Sequence, residues 1–360
     1  MQRNPIGLGI IGSGRIGNLR GRLASEHPAV KFIATADLKP ENAKALAGKI
    51  GAQVHSGNNL DIINHPDVTA VVVSTAEGQH TEAVLAAIAA GKPVLVEKPI
   101  ALELIEADSI IAEAERKGAN VRVGYSRRFK ERYLIAKEQI LQGRIGRMTG
   151  AGARLYNSSS QALAMLKRDP HATPVVDGLT YYVDLMNWFV GGAKLTEVYA
   201  RGQKGVLKAA GHDVDDVVHS VLTYDDGTVV NLSVCYALPE KYPALGHAAR
   251  VEILGDGGVM ILDDDHTDQI MYSNKGVPHV YLPDHNVNMV FLQSGTPGDW
   301  ALGDFWGPIA NETRAWLDHL ATGKPCALAT PREARATLEA THAIQHSAAS
   351  GKPVRLPLAG

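Results

Sequence analysis

The sequence predicts an α/β protein: a doubly wound parallel sheet at the N-terminus, then an α+β domain on a mostly antiparallel, open sheet. Three observations predict it. Short β-rich runs alternate with helical patterns through the first third of the chain, and a glycine-rich turn joins the first run to the first helical stretch. Beyond Gly191-Gly192, apolar runs follow one another with no helices between them. The chain has 360 residues, too many for one typical core, so two domains are expected. Their expected extents are 1–124 and 125–360.

In the first domain the candidate strands are Ile6–Ile11, Val30–Ala36, Ala70–Ser74, Val94–Glu97 and Val121–Tyr125. Helix candidates lie between them, around Ile16–Ser25, Glu41–Ile50, Thr81–Ala90 and Glu103–Lys117. A βαβα rhythm of this kind implies parallel strands with right-handed crossovers. The rhythm then changes. A helix over about Glu131–Leu141 leads into a strand near Thr149–Tyr156, and another helix, Leu179–Phe189, ends at the glycine pair. Strands Thr196–Arg201, Val217–Tyr224, Val229–Tyr236, Ala249–Leu254 and Val259–Asp263 follow, with an Asp226-Gly227 hairpin signal between two of them. Such a sheet leaves one face for helices or another subunit. An amphipathic helix near Ile309–Ala321, a stretch Pro331–Ala349 and a strand Val354–Leu358 close the chain.

The turn reads Gly12-Ser13-Gly14-Arg15-Ile16-Gly17, and Asp37 ends the next apolar run twenty residues later. Gly12 permits a tight turn, Gly14 keeps side-chain atoms away from a pyrophosphate, and Gly17 lets helix pack against strand. Free N–H groups at the helix start, over Arg15 and Ile16, face the anion. Asp37 can accept hydrogen bonds from both adenosine ribose hydroxyls and repels a 2′-phosphate. Lys39 is near enough to soften that repulsion, but no arginine follows directly. NAD is therefore expected rather than NADP.

Glu97-Lys98-Pro99 ends a run that reads as a buried parallel strand, at the sheet edge where ligands bind in open α/β proteins. A lysine there can donate to a substrate oxygen, and partial burial lowers its pKa toward acid–base chemistry. A cis bond at Pro99 would fix its direction.

Taken together, the glycine turn, Glu97-Lys98-Pro99 and the antiparallel second half resemble the glucose–fructose oxidoreductase / inositol dehydrogenase (Gfo/Idh/MocA) family. So do Ser74-Thr75 with His80, Gly124-Tyr125-Ser126-Arg127-Arg128-Phe129, Gly143-Arg144-Ile145-Gly146 and the ending Ser347–Val354. The resemblance spans nearly the whole chain. It implies a Rossmann domain with Gly12, Ser13, Gly14, Arg15, Ile16, Asp37, Ser74, Thr75 and His80 around the cofactor, and Glu97 near the nicotinamide ribose. It implies a catalytic Lys98, and Arg127, Arg128 and Tyr156 on the substrate side. Without that context Arg127 and Arg128 read as solvated surface charge.

One motif departs from the family. Members carry an aspartate and, four residues later, a histidine, whereas this chain has Asp177 followed by Tyr181, with Asp184 trailing. Residues four apart share a helix face, so Asp177 and Tyr181 can meet one substrate. Tyrosine transfers a proton only with help, since its pKa is about 10 against about 6.5 for histidine. A nearby Lys98 ammonium lowers it and Asp177 raises it. The alternative is a packing tyrosine in a member that has lost or relocated its base. Tyr182 reads as core.

Composition excludes several classes. Apolar residues are 45% and charged residues 21% of the chain, and the net charge of −2 attracts neither nucleic acid nor anionic membrane. Two cysteines, Cys235 and Cys326, make no disulfide framework. With a short apolar start running into the glycine turn, they point to the cytoplasm. His342 and His346 have metal-ligand spacing but no third ligand nearby, and Asp263-Asp264-Asp265-His266 reads as an acidic turn. No metal is expected.

The expected function is NAD-dependent oxidation of a secondary alcohol of a polyol, cyclitol or sugar, or reduction of the matching keto-sugar, through Lys98, Asp177 and Tyr181. A homodimer or homotetramer is expected on the open sheet face. Two rivals remain: an NAD-dependent glycoside-cleaving enzyme using transient oxidation, and a non-catalytic NAD-binding sensor.

Overall fold

The computed structural model describes residues 4–244, 246–263, 270–278, 282, 284–291 and 298–358. Residues 264–266 of the acidic turn lie outside these. The chain forms two compact units, one of residues 1–129 with 305–338 and the other of residues 130–304 with 339–359.

The first unit is built on strands β1 (Ile6–Ile11), β2 (Val30–Ala36), β3 (Val54–Ser56), β4 (Ala70–Val73), β5 (Val94–Glu97) and β6 (Val121–Gly124). They lie in the order β3-β2-β1-β4-β5-β6, and every neighbouring pair is parallel. β1 is buried along its length, as a strand covered on both faces must be. Sheet order reverses between β1 and β4, and ligands bind off the C-terminal strand ends at such a switch point. The helices are Arg15–Ser25, Pro40–Ile50, His80–Ala89 and Leu104–Lys117. The last opens with a Glu103–Glu106 capping box and closes at Gly118 with φ +61°. β3 and the five-residue helix Asn59–Ile63 escape sequence reading because neither completes a hydrophobic period.

Residues 305–338 return to this unit, whereas the sequence reading runs a second domain unbroken from 125 to 360. Helix Pro308–Thr322 buries Trp316, Leu317 and Ala321 in one cluster with Ile6, Leu8 and Leu95. Each large apolar side chain so buried contributes about 1.5–3 kcal/mol. The Val123 N–H also donates to the Ala329 carbonyl, which extends pairing beyond β6.

The second unit holds β7 (Met148–Ser158), β8 (Leu195–Gln203), β9 (Val217–Tyr224), β10 (Val229–Leu238), β11 (Ala248–Gly255) and β12 (Val259–Asp263). They pair in the order β12-β11-β7-β10-β9-β8, and the short strand Val354–Arg355 adds to β8. Only β7 and β10 run parallel; the other pairs are antiparallel. Alternate residues face the core: Ala151, Ala153 and Leu155 of β7, and Val230, Leu232, Val234 and Tyr236 of β10. Val183, Leu185 and Met186 of helix Thr180–Val190 join that core, with Tyr182 fully buried among them. On the opposite face Tyr199, Val221, Val229, Leu254 and Ile261 are exposed. A helix at Ser159–Arg168, which the sequence reading did not single out, packs Ala162, Met165 and Leu166 inward.

Among the described residues no helix is long and apolar enough to cross a membrane, and no three His, Cys, Asp or Glu side chains group as metal ligands.

Candidate functional site

Steric demand shapes the glycine turn. Gly12 has φ +90°, and a Cβ there would sit 2.6 Å from the Ser74 carbonyl carbon. A Cβ on Gly17 would sit 1.9 Å from the Gly12 carbonyl oxygen, so the helix can approach the strand only without it. Gly14 has nothing within 4 Å of its would-be Cβ. It begins helix Arg15–Ser25 with no side-chain cap, which leaves the first-turn N–H groups toward open space. Ser74, just past the end of β4, braces the turn, its hydroxyl donating to the Gly12 carbonyl at 2.8 Å.

Asp37 closes the other wall. Its Oδ2 accepts from the Ser13 N–H at 2.8 Å, and its Oδ1 accepts from the Lys39 N–H at 2.9 Å. One carboxylate thus ties the glycine turn to the end of β2. A cleft of about 220 Å³ opens here, lined by Gly12, Gly14, Asp37, Lys39, Ser74 and Thr75. Leu38, Asn59 and Gln79 also line it, and sequence reading singled out none of them. A floor without side-chain atoms beside uncapped helix N–H groups and an acid wall fits the adenosine diphosphate half of a dinucleotide.

The Lys98-Pro99 bond is cis, and the surrounding polar groups hold the turn. His80 is buried; its Nδ1 lies 2.8 Å from the Pro99 carbonyl and its Nε2 3.3 Å from the Thr75 carbonyl. The ring links two loops of the site. Glu97 Oε1 accepts from Arg20 Nε at 2.5 Å, and its side chain is 14% exposed. Arg20 is fully buried and also reaches Glu312 Oε2 at 2.5 Å and Thr313 Oγ1 at 2.9 Å. Burial alone would lower the Arg20 pKa, but the charges of Glu97 and Glu312 outweigh it and raise it. Gly124 makes room, since a Cβ there would lie 2.8 Å from Arg20 Nη2. Lys98 itself is half-buried.

Arg127 and Arg128 lie in a 3-10 turn, Ser126–Phe129, and both are buried. Their burial rules out the solvated surface charge that the pair suggests when the family resemblance is set aside. Arg128 pairs with Glu333 Oε1 at 3.2 Å, a residue of the returning segment too distant in sequence to suggest the pair. Burial opposes ionisation of Glu333, but Arg128 and the Thr330 N–H and hydroxyl prevail and hold its pKa below the usual carboxylate range.

In the second unit, Asp177 sits in a π-helical turn, Val175–Leu179, just before helix Thr180–Val190. Its Oδ2 accepts from the Tyr236 hydroxyl at 2.9 Å, and its Oδ1 accepts from Arg168 Nη2 at 3.3 Å. The Tyr236 hydroxyl also lies 3.3 Å from His247 Nε2. Sequence reading gave Tyr236 only as the end of a strand and placed neither it nor His247 at the site. Tyr181 is half-buried and packs on the core, while Tyr156 is half-buried on β7 with Arg154 Cζ 4.9 Å from its ring centroid.

Comparison with known proteins gives the family. Residues 6–125 match the oxidoreductase family, NAD-binding Rossmann fold, and residues 133–261 match the GFO/IDH/MocA C-terminal domain. An inositol 2-dehydrogenase of Acidothermus cellulolyticus is 32% identical over 259 residues, 71% of this chain and 72% of that protein. Inositol 2-dehydrogenase 2 of Saccharopolyspora erythraea is 28% identical over 361 residues, covering 100% of this chain and 96% of its own. The scyllo-inositol dehydrogenase of Lactobacillus casei, solved with NAD(H) and scyllo-inositol, has a similar fold. Its TM-score is 0.80 at 20% identity, over 98% of this chain and 99% of that one. With family matches in both halves and a relative of this identity over most of the chain, the protein belongs to the Gfo/Idh/MocA oxidoreductase family.

Proposed function

We propose that this oxidoreductase is an NAD-dependent dehydrogenase for a secondary alcohol of a cyclitol, polyol or sugar, and reduces the matching ketone in reverse. The observation that carries the reading is the Asp37 carboxylate beside the cleft floored by Gly14. An acid there accepts hydrogen bonds from vicinal ribose hydroxyls and repels a phosphate, which favours NAD over NADP. The relatives named inositol 2-dehydrogenase support a cyclitol among the substrate classes.

When bound, the cofactor accepts the hydride of the alcohol carbon. In this reading Lys98 takes the hydroxyl proton as general base. Asp177 and Tyr181 belong to the hydrogen-bond network of that hydroxyl, and the buried His80 and Glu97 contacts keep the Lys98 turn in place. The exposed apolar residues on the second sheet, among them Tyr199, Val221 and Ile261, support a homodimer or homotetramer through that face.

A panel of cyclitols, polyols and sugars with NAD and with NADP, followed by absorbance of the reduced cofactor, tests the reading. Turnover with NAD on at least one cyclitol or sugar is expected. NAD binding without turnover of any alcohol favours the sensor reading, which the tyrosine at position 181 also supports.

A further inference from the structure

We infer that His247, immediately before strand β11, acts through Tyr236 as a positioning residue for Asp177. The inference rests on the proposed role of Asp177 in holding the substrate hydroxyl. Tyr236 is buried on β10, and His247, also buried, stands immediately before β11. Their rings lie 6.2 Å apart between centroids, with the hydroxyl 3.3 Å from Nε2.

The chemistry of the three groups fixes the direction of the chain. An ionised carboxylate only accepts, so the single Tyr236 proton goes to Asp177 Oδ2. The Tyr236 oxygen is then left to accept, and His247 must present Nε2–H to it. Were the imidazole to accept instead, Tyr236 would turn its proton away from Asp177 and leave two oxygens facing at 2.9 Å. His247 thus orients the Tyr236 hydroxyl, and that hydroxyl orients one oxygen of Asp177. The other oxygen faces Arg168, and the side chain keeps 27% of its surface exposed, so Asp177 is both held and accessible.

Two further features make room for this chain. A Cβ on Gly178 would lie 2.4 Å from the Tyr236 hydroxyl and 2.7 Å from Leu155 Cδ2. Only glycine beside Asp177 lets the hydroxyl reach the carboxylate. The backbone there widens into a π-helical turn, a local departure that commonly marks functional positions.

The test uses the full chain with two independent readouts. Long-range 15N NMR of the histidine rings, with His247 assigned by its loss in His247→Gln, reads the tautomer without any substrate. Protonation at Nε2 is expected, with a shift of that resonance in Tyr236→Phe. An Nδ1–H tautomer, or no response to Tyr236→Phe, overturns the chain whatever becomes of the dehydrogenase reading. On a substrate from the panel, His247→Leu and Tyr236→Phe should each lower kcat about 10-fold or more, with NAD affinity within about 2-fold. His247→Gln should recover most of the rate, because its amide N–H can occupy the Nε2 position. Full activity in Tyr236→Phe, or equal losses in the Gln and Leu variants, overturns the positioning role.

Discussion

Arg20 Nε lies 2.5 Å from Glu97 Oε1, so the residue immediately before Lys98 is anchored to a fully buried guanidinium. A second carboxylate, Glu312, meets the same guanidinium at 2.5 Å and is itself buried. Two acids around one base make sense only if the base is always charged, which is why arginine rather than lysine suits the position. Helix Arg15–Ser25, strand β5 and helix Pro308–Thr322 converge on this one group.

Removing the arginine should therefore destabilise the first unit strongly. Arg20→Met removes the guanidinium that the Glu97 and Glu312 carboxylates share, at a cost of about 3–5 kcal/mol. Adding Glu312→Gln should restore part of the loss. Urea unfolding of both variants measures this. An Arg20→Met midpoint equal to that of the unmodified protein would show that the triad does not hold the unit together.

Asp37 offers a cleaner test of cofactor choice, because it sits at the cleft wall rather than in the core. NAD should bind about tenfold or more tightly than NADP, and Asp37→Ala should narrow that gap. Calorimetric titration with each dinucleotide decides it, and equal affinities in the unmodified protein would overturn the assignment. The same variant loses the acceptor for the Ser13 N–H, so some loss of NAD affinity is also expected.

Much of the first unit was legible in the sequence because its signals are local. The glycine spacing, the apolar run into Asp37 and the Glu97-Lys98-Pro99 turn each declare themselves within about ten residues. What escaped reading depends on residues far apart in the chain. Arg20 lies in a polar-looking helix, and its partners stand 77 and 292 residues away. Tyr236 reads as an inward strand residue until Asp177 appears 59 residues upstream. The return of residues 305–338 is hidden for a related reason. An amphipathic helix announces that one face is buried, but not against which sheet.

The Arg128–Glu333 pair predicts how acid affects the first unit. The folded Glu333 pKa is depressed below the unfolded value of about 4.3. Its contribution is therefore complete above that value and is lost as pH falls through the folded one. The Glu333 side chain is 40% exposed, so solvent screening keeps the effect below about 1 kcal/mol. Glu333→Gln should lower the melting temperature slightly at neutral pH and converge with the unmodified protein in acid. A difference that grows as pH falls would contradict the sign.

Lys98 and Tyr181 divide the proposed proton chemistry, and paired variants separate their roles. Lys98→Met removes the proposed general base and should lower kcat by about 10²-fold or more, with NAD affinity within a few-fold. Tyr181→Phe keeps the ring that packs on the second core and removes only the hydroxyl. If that hydroxyl takes the place of the family's histidine, kcat should also fall by about 10²-fold. The double variant then decides whether they act as one unit. Residues in one network lose little more together than apart, whereas independent groups multiply their losses. A Tyr181→Phe enzyme at full rate assigns the residue to packing and leaves Lys98, with Asp177 on its Tyr236 support, as the proton path. A double variant no slower than Lys98→Met alone, with Tyr181→Phe strongly impaired, makes the two a single acid–base pair.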